Sequence, residues 1–224
     1  MTKTSDSRVL HRDAGLVYSI ATAARRDEIA RILTESFVRE PMSTALGVSA
    51  GDLAPLVELF MPECTTNGLS VVAVPEDDPE TVAGVFISRD FKSPLPAGVP
   101  DAFPWFLPVA EALGSVDAAY EARRPDLAPG DAVDLWMVGV AAPRFVRRGI
   151  ANTLFALCSD LARERGFERC VTECTGHYSQ SAARRAGFHE VARVAYRDFR
   201  FGGKPVFADV PAPHTHLVLY EKKL

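Results

Sequence analysis

The run DAVDLWMVGVAA, Asp131 to Ala142, constrains this chain more than any other stretch, because a short turn and a long amphipathic helix come directly after it. A nearly unbroken apolar run of this length reads as a strand covered on both faces, the centre of a sheet. PRFVRRGIA then leads into a helix in which Ile150, Leu154, Leu157, Cys158 and Leu161 share one face, closed by Gly166. A buried strand joined by a short turn to an amphipathic helix needs a layered fold, helix packed on sheet.

The remaining segments extend that layout. LVYSIATA (Leu16 to Ala23) reads as a strand, and RRDEIARILTESFVRE as a helix with Ile29, Ile32, Leu33 and Phe37 on its apolar stripe, closed by Pro41. A second helix is predicted from Asp52 to about Met61, with Leu53, Leu56, Val57 and Phe60 inward. GLSVVAVPED and TVAGVFISRDF form an expected antiparallel hairpin around EDDPE. RCVTECT, HEVARVAYRDF and HTHLVLYEKKL are expected strands, and SQSAARRAG a short helix closed by Gly187. The proline-dense SPLPAGVPDAFPWFLP cannot be a regular helix throughout. Its Phe103, Trp105 and Phe106 either line a pocket or cover a core edge. The expectation is an α/β (α+β) fold, a mixed twisted sheet of about seven strands with helices on both faces.

No polar or low-complexity linker divides the 224 residues, so one domain is expected, with residues 1–14 as a flexible polar tail. The 25 Lys and Arg against 29 Asp and Glu disfavour a nucleic-acid or membrane partner. MTKTSDSRVLHRDAG lacks the apolar centre of a signal peptide, and no uninterrupted apolar run is long enough to span a bilayer, so a cytoplasmic protein is expected. Cys64, Cys158, Cys170 and Cys174 have neither disulfide-scaffold nor metal-knuckle spacing and read as buried free thiols; no metal is expected.

The helix entrance carries the first chemical signal. The first N–H groups of a helix lack partners and carry the positive end of its dipole, so amides from Arg147 through Ala151 can converge on phosphate oxygens. Gly149 removes a side chain where a ligand must approach, and Arg147 and Arg148 add positive charge to an acidic protein. Arginines and a glycine also precede many ordinary surface helices. The strand MVGV immediately before the turn favours the ligand reading.

From VGVAAPRFVRRGIANTLF to AGFHEV the sequence resembles motifs A and B of the GNAT superfamily of N-acetyltransferases. In the acetyl-coenzyme A signature Q/R-x-x-G-x-G/A, Gly149 and Ala151 match the last two fixed positions. Val146 stands where glutamine or arginine is usual, and Arg147 where many members have glycine. CTGHYSQSAARRAGFHEV, VAYRDF, the PAPH near the C-terminus and SFVREPM near the N-terminus resemble the arylalkylamine branch typified by insect dopamine N-acetyltransferases.

The resemblance implies acetyl-coenzyme A as co-substrate and a small (aryl)alkylamine as acceptor; the expected assembly is a monomer or homodimer, which the sequence does not fix. It implies phosphate contacts by Arg147, Arg148, Gly149, Ile150 and Ala151, and main-chain donors to the oxyanion among Val138, Gly139 and Val140. An amine is mostly protonated at neutral pH and needs a base before it can attack. The branch's glutamate before proline maps onto Glu40, with Phe37 and Met42 nearby to lower polarity; the residues alone favour a solvated helix-end glutamate. Many superfamily members place a tyrosine where this chain has Ala183. The branch's two serines map instead onto Thr175 and Ser179, acting in catalysis or cofactor contact. Ser179 is also a natural N-cap, a compatible role, and His177 and Tyr178 lie between the two hydroxyls. Phe37, Met42, Phe103, Trp105 and Phe106 are the candidate amine contacts. A protein amino group, an aminoglycoside, or acyl-coenzyme A sensing without turnover are the alternatives.

Overall fold

The computed structural model describes residues 7–224. In chain order come β1 (Val9–Asp13), β2 (Leu16–Ile20), α1 (Arg26–Phe37), α2 (Pro41–Ala45), α3 (Ala50–Cys64), β3 (Val71–Pro75) and β4 (Gly84–Asp90). After them come α4 (Val99–Ala102), α5 (Leu107–Glu121), β5 (Ala132–Val140), α6 (Ile150–Glu164), β6 (Arg169–Cys174), α7 (His177–Arg185), β7 (His189–Ala195) and β8 (His216–Lys223). They build one eight-stranded sheet in the order β1-β2-β3-β4-β5-β6-β8-β7. Every neighbouring pair is antiparallel except β5 and β6.

Period-2 alternation along the strands feeds two cores. Val72, Val85, Ile87 and Met137 face α1, α3 and α5, whereas Val71, Ala73, Phe86 and Leu135 face α6 and α7. Covered on both sides, β3 is buried throughout and β4 nearly so. Among the described residues no helix is long and apolar enough to cross a membrane.

Eight strands replace the expected seven because β1 lies inside the segment read as a tail. VLHRD is a largely exposed edge strand with no apolar face to betray it; residues 1–6 lie outside the described residues. The proline-dense segment becomes the short α4, a 3-10 turn over 104–106, and then the fifteen-residue α5. Pro104 and Pro108 fall in the first turns, where a missing N–H costs nothing. The first long helix stops at Phe37 rather than at residue 40, and Pro41 opens α2 instead of merely closing α1.

Gly139 marks where α1 crosses β5. A Cβ there would lie 3.0 Å from Ile32 Cγ2 and Ser36 Oγ and 3.3 Å from the Ile32 carbonyl oxygen. Gly139→Ala is therefore expected to cost about 1–3 kcal/mol. Urea unfolding checks this, because the midpoint must fall without a change in slope.

Candidate active site

The sheet opens at its centre. β5 and β6 pair only from Ala132–Arg169 to Asp134–Val171, although β5 continues to Val140 and β6 to Cys174. The Thr172 hydroxyl donates to the Leu135 carbonyl at 2.8 Å where the strands part. On its other edge β5 stays paired with β4, with a bulge at Trp136: Ile87 faces Met137, and Ser88 faces Leu135. The Ala141 N–H donates to Ala83 at 2.9 Å. Alternation along the antiparallel ladder then turns Gly139 and Met137 toward β4, and the N–H groups of Val138 and Val140 toward the gap. The expected main-chain donors thus narrow to Val138 and Val140. Gly139 has its amide in the ladder and its Cα against α1, which is a packing role.

The gap leads to the turn before α6. Arg147 has φ 64° and Gly149 φ 80°, both left-handed. Arg147 takes a conformation that favours glycine, at the position where the resembling superfamily often has one. Helical bonding begins with the Thr153 N–H on the Gly149 carbonyl, and the N–H groups of residues 146–152 reach no acceptor among the described residues. Seven consecutive exposed or helix-entrance amides, with open space where a Gly149 Cβ would stand, suit a polyphosphate. Arg147 and Arg148 are exposed; the Arg148 guanidinium stacks 5.7 Å from the Phe145 ring and approaches the Ala14 carbonyl at 3.4 Å.

On the other side of the gap two connected hollows share Phe37, Glu40, Trp136, Glu173 and Thr175. A narrow cavity of about 70 Å³ runs under α3 and α5, walled by Leu53, Leu56, Phe60, Trp105 and Phe106. A wider groove of about 330 Å³ reaches Val138, Ser179 and His214.

Glu40 stands at the junction, half-buried, and the structure corrects its expected place at a helix C-terminus. Its extended backbone makes it the N-cap of α2: Oε1 accepts the Met42 N–H at 3.0 Å and Oε2 the Ser43 N–H at 2.9 Å. Burial raises its pKa above the ordinary carboxyl range. The Met42 and Ser43 amides and the Thr175 hydroxyl, all favouring the ionised form, hold that rise back. Thr175 is therefore a neighbour of Glu40, and its own carbonyl accepts the Tyr196 hydroxyl at 2.5 Å.

Ser179 lines the groove but is the third residue of α7, whose N-cap is Gly176. Its hydroxyl donates to the Gly176 carbonyl at 2.9 Å and accepts the Gly176 N–H at 3.3 Å, closing the helix start. Met42 and Phe103 are not brought to the site. Met42 is fully buried in the core, and Phe103 packs edge-on against Trp105 at 6.5 Å without lining either hollow. Trp105, Phe106 and Phe37 do line the cavity. Ala183 is fully buried, its carbonyl taken by the Phe188 N–H at 3.0 Å. All four cysteines are buried free thiols. Burial pushes Cys64, Cys170 and Cys174 up to about 12, so none is a thiolate at neutral pH.

Three lining residues carried no clear signal in the sequence. Trp136 was visible only as part of an apolar strand, and Glu173 only as one carboxylate in RCVTECT. His214 belongs to the PAPH segment; its Nδ1 accepts the His177 N–H at 3.1 Å, which leaves Nε2 to carry the proton of the neutral ring. Among the described residues no three His, Cys, Asp or Glu side chains are disposed to share a metal ion.

Solved structures share this architecture. Arylalkylamine N-acetyltransferase 2 from Aedes aegypti aligns with a TM-score of 0.80 and 21% identity, over 93% of this chain and 98% of that one. The C-terminal condensation domain of Ebony, in complex with beta-alanyl-dopamine, aligns at 0.78 and 17%, over 93% and 99%. Drosophila melanogaster polyamine N-acetyltransferase, which catalyses the formation of N-acetylagmatine, aligns at 0.71 and 18%, over 93% and 100%. No protein-family profile matches the sequence. What these alignments have in common is a backbone plan, and by that plan the chain has the GNAT fold that its sequence resemblance implies.

Proposed function

We propose that this protein is an acetyl-coenzyme A-dependent N-acetyltransferase whose acceptor is the primary amine of a small alkylamine or arylalkylamine. The observation that carries this reading is the pair of groups of unpartnered main-chain donors that flank the gap, Val138 and Val140 on the β5 edge and residues 146–152 at the entrance of α6. When bound, the thioester supplies the acetyl group. The amides of 147–151 hold its diphosphate, with Arg147 and Arg148 adding charge. Val138 and Val140 present N–H groups to the carbonyl oxygen as it gains charge. The apolar walls of Phe37, Phe60, Trp105 and Trp136 take the hydrocarbon part of the amine. Glu40 accepts the proton that the amine must lose, and Thr175 orients that carboxylate. Holding amine and thioester together supplies most of the acceleration. The names of the aligned N-acetyltransferases, which act on arylalkylamines and polyamines, agree with this acceptor class.

Titration calorimetry with coenzyme A, and then thiol release from acetyl-coenzyme A with an amine panel, tests the reading. Binding and amine-dependent thiol release support it. Binding without turnover makes the protein a sensor, and absence of binding removes the proposal. Arg147→Ala and Arg148→Ala are expected to weaken coenzyme A binding by only about two- to fivefold each, the scale of exposed ion pairs. Gly149→Val, which puts branched carbon where the diphosphate must sit, is expected to weaken it by about tenfold or more, since it disturbs several main-chain contacts at once.

A further inference from the structure

A third hollow adjoins the amine cavity and has a different chemistry. It measures about 190 Å³ and shares Phe106, Leu113, Trp136 and Glu173 with the amine cavity. Three carboxyl groups reach it from three elements: Asp117 of α5, Asp134 of β5 and Glu173 of β6. Each keeps a buried oxygen without a hydrogen-bond partner among the described residues: Asp117 Oδ1, Asp134 Oδ1 and Glu173 Oε1. Asp134 is only 9% exposed, so its unsatisfied oxygen cannot turn to bulk water.

The one cation lining the hollow, among the described residues, is already engaged. Arg89 from β4 is 4% exposed, donates to the Pro94 carbonyl at 2.6 Å, pairs with Glu63 of α3 at 3.3 Å and lies over the rings of Phe60 and Trp136. Glu121 of α5 adds to the rise at Asp117 but is itself paired with Lys92 at 2.6 Å. The site is therefore short of positive charge, and its carboxyl groups have mainly one another for company: Asp117 and Asp134 each hydrogen-bond Glu173. No metal geometry is present among these side chains.

We propose that this hollow is the far subsite of the amine cavity and holds a second cationic group, an ammonium or guanidinium, of an acceptor that is acetylated at its other end. The assignment rests on the acetyl-transfer reading of the adjoining cavity. An acceptor with a cation at each end and an apolar spacer matches both chambers: carboxyls at one end, aromatic and aliphatic walls between, and Glu40 at the reacting amine.

The unliganded state supports the same conclusion. Burial, then the charge of Glu173, pushes Asp117 up to about 9. Burial, then Asp117, pushes Asp134 up to about 8, and Glu173 is raised well above its usual range by burial and by Asp134. Arg89 opposes the rise at Asp134, while Glu63 adds to it. The trio holds protons at neutral pH that an arriving cation displaces.

The test compares α,ω-diamines of three to six methylenes with monoamines of equal length, using the full protein, saturating acetyl-coenzyme A and thiol release. Diamines should be favoured in kcat/KM by about 10- to 100-fold, the scale of hydrogen bonds to a charged group, with an optimum in length. Asp117→Asn and Asp134→Asn, which are isosteric, should drive the diamine-to-monoamine ratio toward one. Equal use of diamines and monoamines by the parent protein overturns the subsite and leaves acetyl transfer standing. If no amine is turned over, the acetyl-transfer reading fails, and calorimetry with the diamines in buffers of different protonation enthalpy decides the subsite separately. Binding with proton release upholds it; no binding heat in any buffer overturns it.

Discussion

A Glu40→Gln variant loses about 10²–10⁴-fold in kcat while its affinity for coenzyme A stays at the parent value. The amide cannot accept the amine's proton, yet it occupies the same space, and the proposed phosphate cradle lies on other elements. Its carbonyl can still accept one of the two α2 amides that Glu40 now caps, so the folding cost stays near 1 kcal/mol. Because burial raises the Glu40 pKa, the acidic limb of the parent pH–rate profile lies above the usual carboxylate range, and activity rises with pH through it. That limb is absent from the variant. A variant whose profile and rate match the parent would remove Glu40 from the chemistry. A variant that also loses coenzyme A affinity would point to a collapsed α2 instead.

Asp134→Asn gains stability at pH 8 and gains none at pH 4. In the unfolded chain this carboxyl ionises near pH 4, whereas in the folded protein it ionises only at about 8, and Asp117 at about 9. Between those limits the folded state binds more protons than the unfolded one, so stability falls as pH rises from about 4 toward 8. Removing the ionisable group removes that loss. The expected gain at pH 8 is about 1–4 kcal/mol, with each kcal/mol moving Tm by roughly 2–4 °C. Glu221 sets the opposite limb. Burial there works against ionisation, but hydrogen bonds from Arg124 and Tyr120 and the charges of Arg124 and Arg169 outweigh it and lower the pKa. Its contribution is present above the ordinary carboxyl pKa and is lost as pH falls through the lowered one. Thermal scans of parent and variant from pH 4 to 9 decide the matter, and an equal shift at every pH refutes a raised Asp134 pKa in the folded protein.

The fold, and the turn with its free amides before α6, were legible in the sequence because both are written locally. The apolar run ending in MVGV, the arginines, Gly149 and the α6 stripe lie within one strand–turn–helix unit. β1 was hidden because an edge strand such as VLHRD needs no apolar alternation. α5 was hidden because Pro104 and Pro108 read as breakers until their first-turn positions are known. The same ambiguity misplaced Glu40: a proline after glutamate ends one helix or opens another, and here it opens α2. Asp117, Asp134 and Glu173 were out of reach for a different reason. Each alone is an ordinary acidic residue, and only the packing of α5 beneath the point where β5 and β6 part makes them a group. Met42 and Phe103 show the converse, since closeness in sequence to Glu40 or Trp105 did not carry them into the cavity.

The parting of β5 from β6 has one more consequence. Donors that belong to the peptide unit are supplied by every amino acid except proline, so a side chain along that edge can change without removing a donor. Val146 and Arg147 can depart from the usual signature without taking a single amide away. A wedge built this way is insensitive to most side-chain exchanges in its lining and sensitive chiefly to proline, which alone takes a donor away.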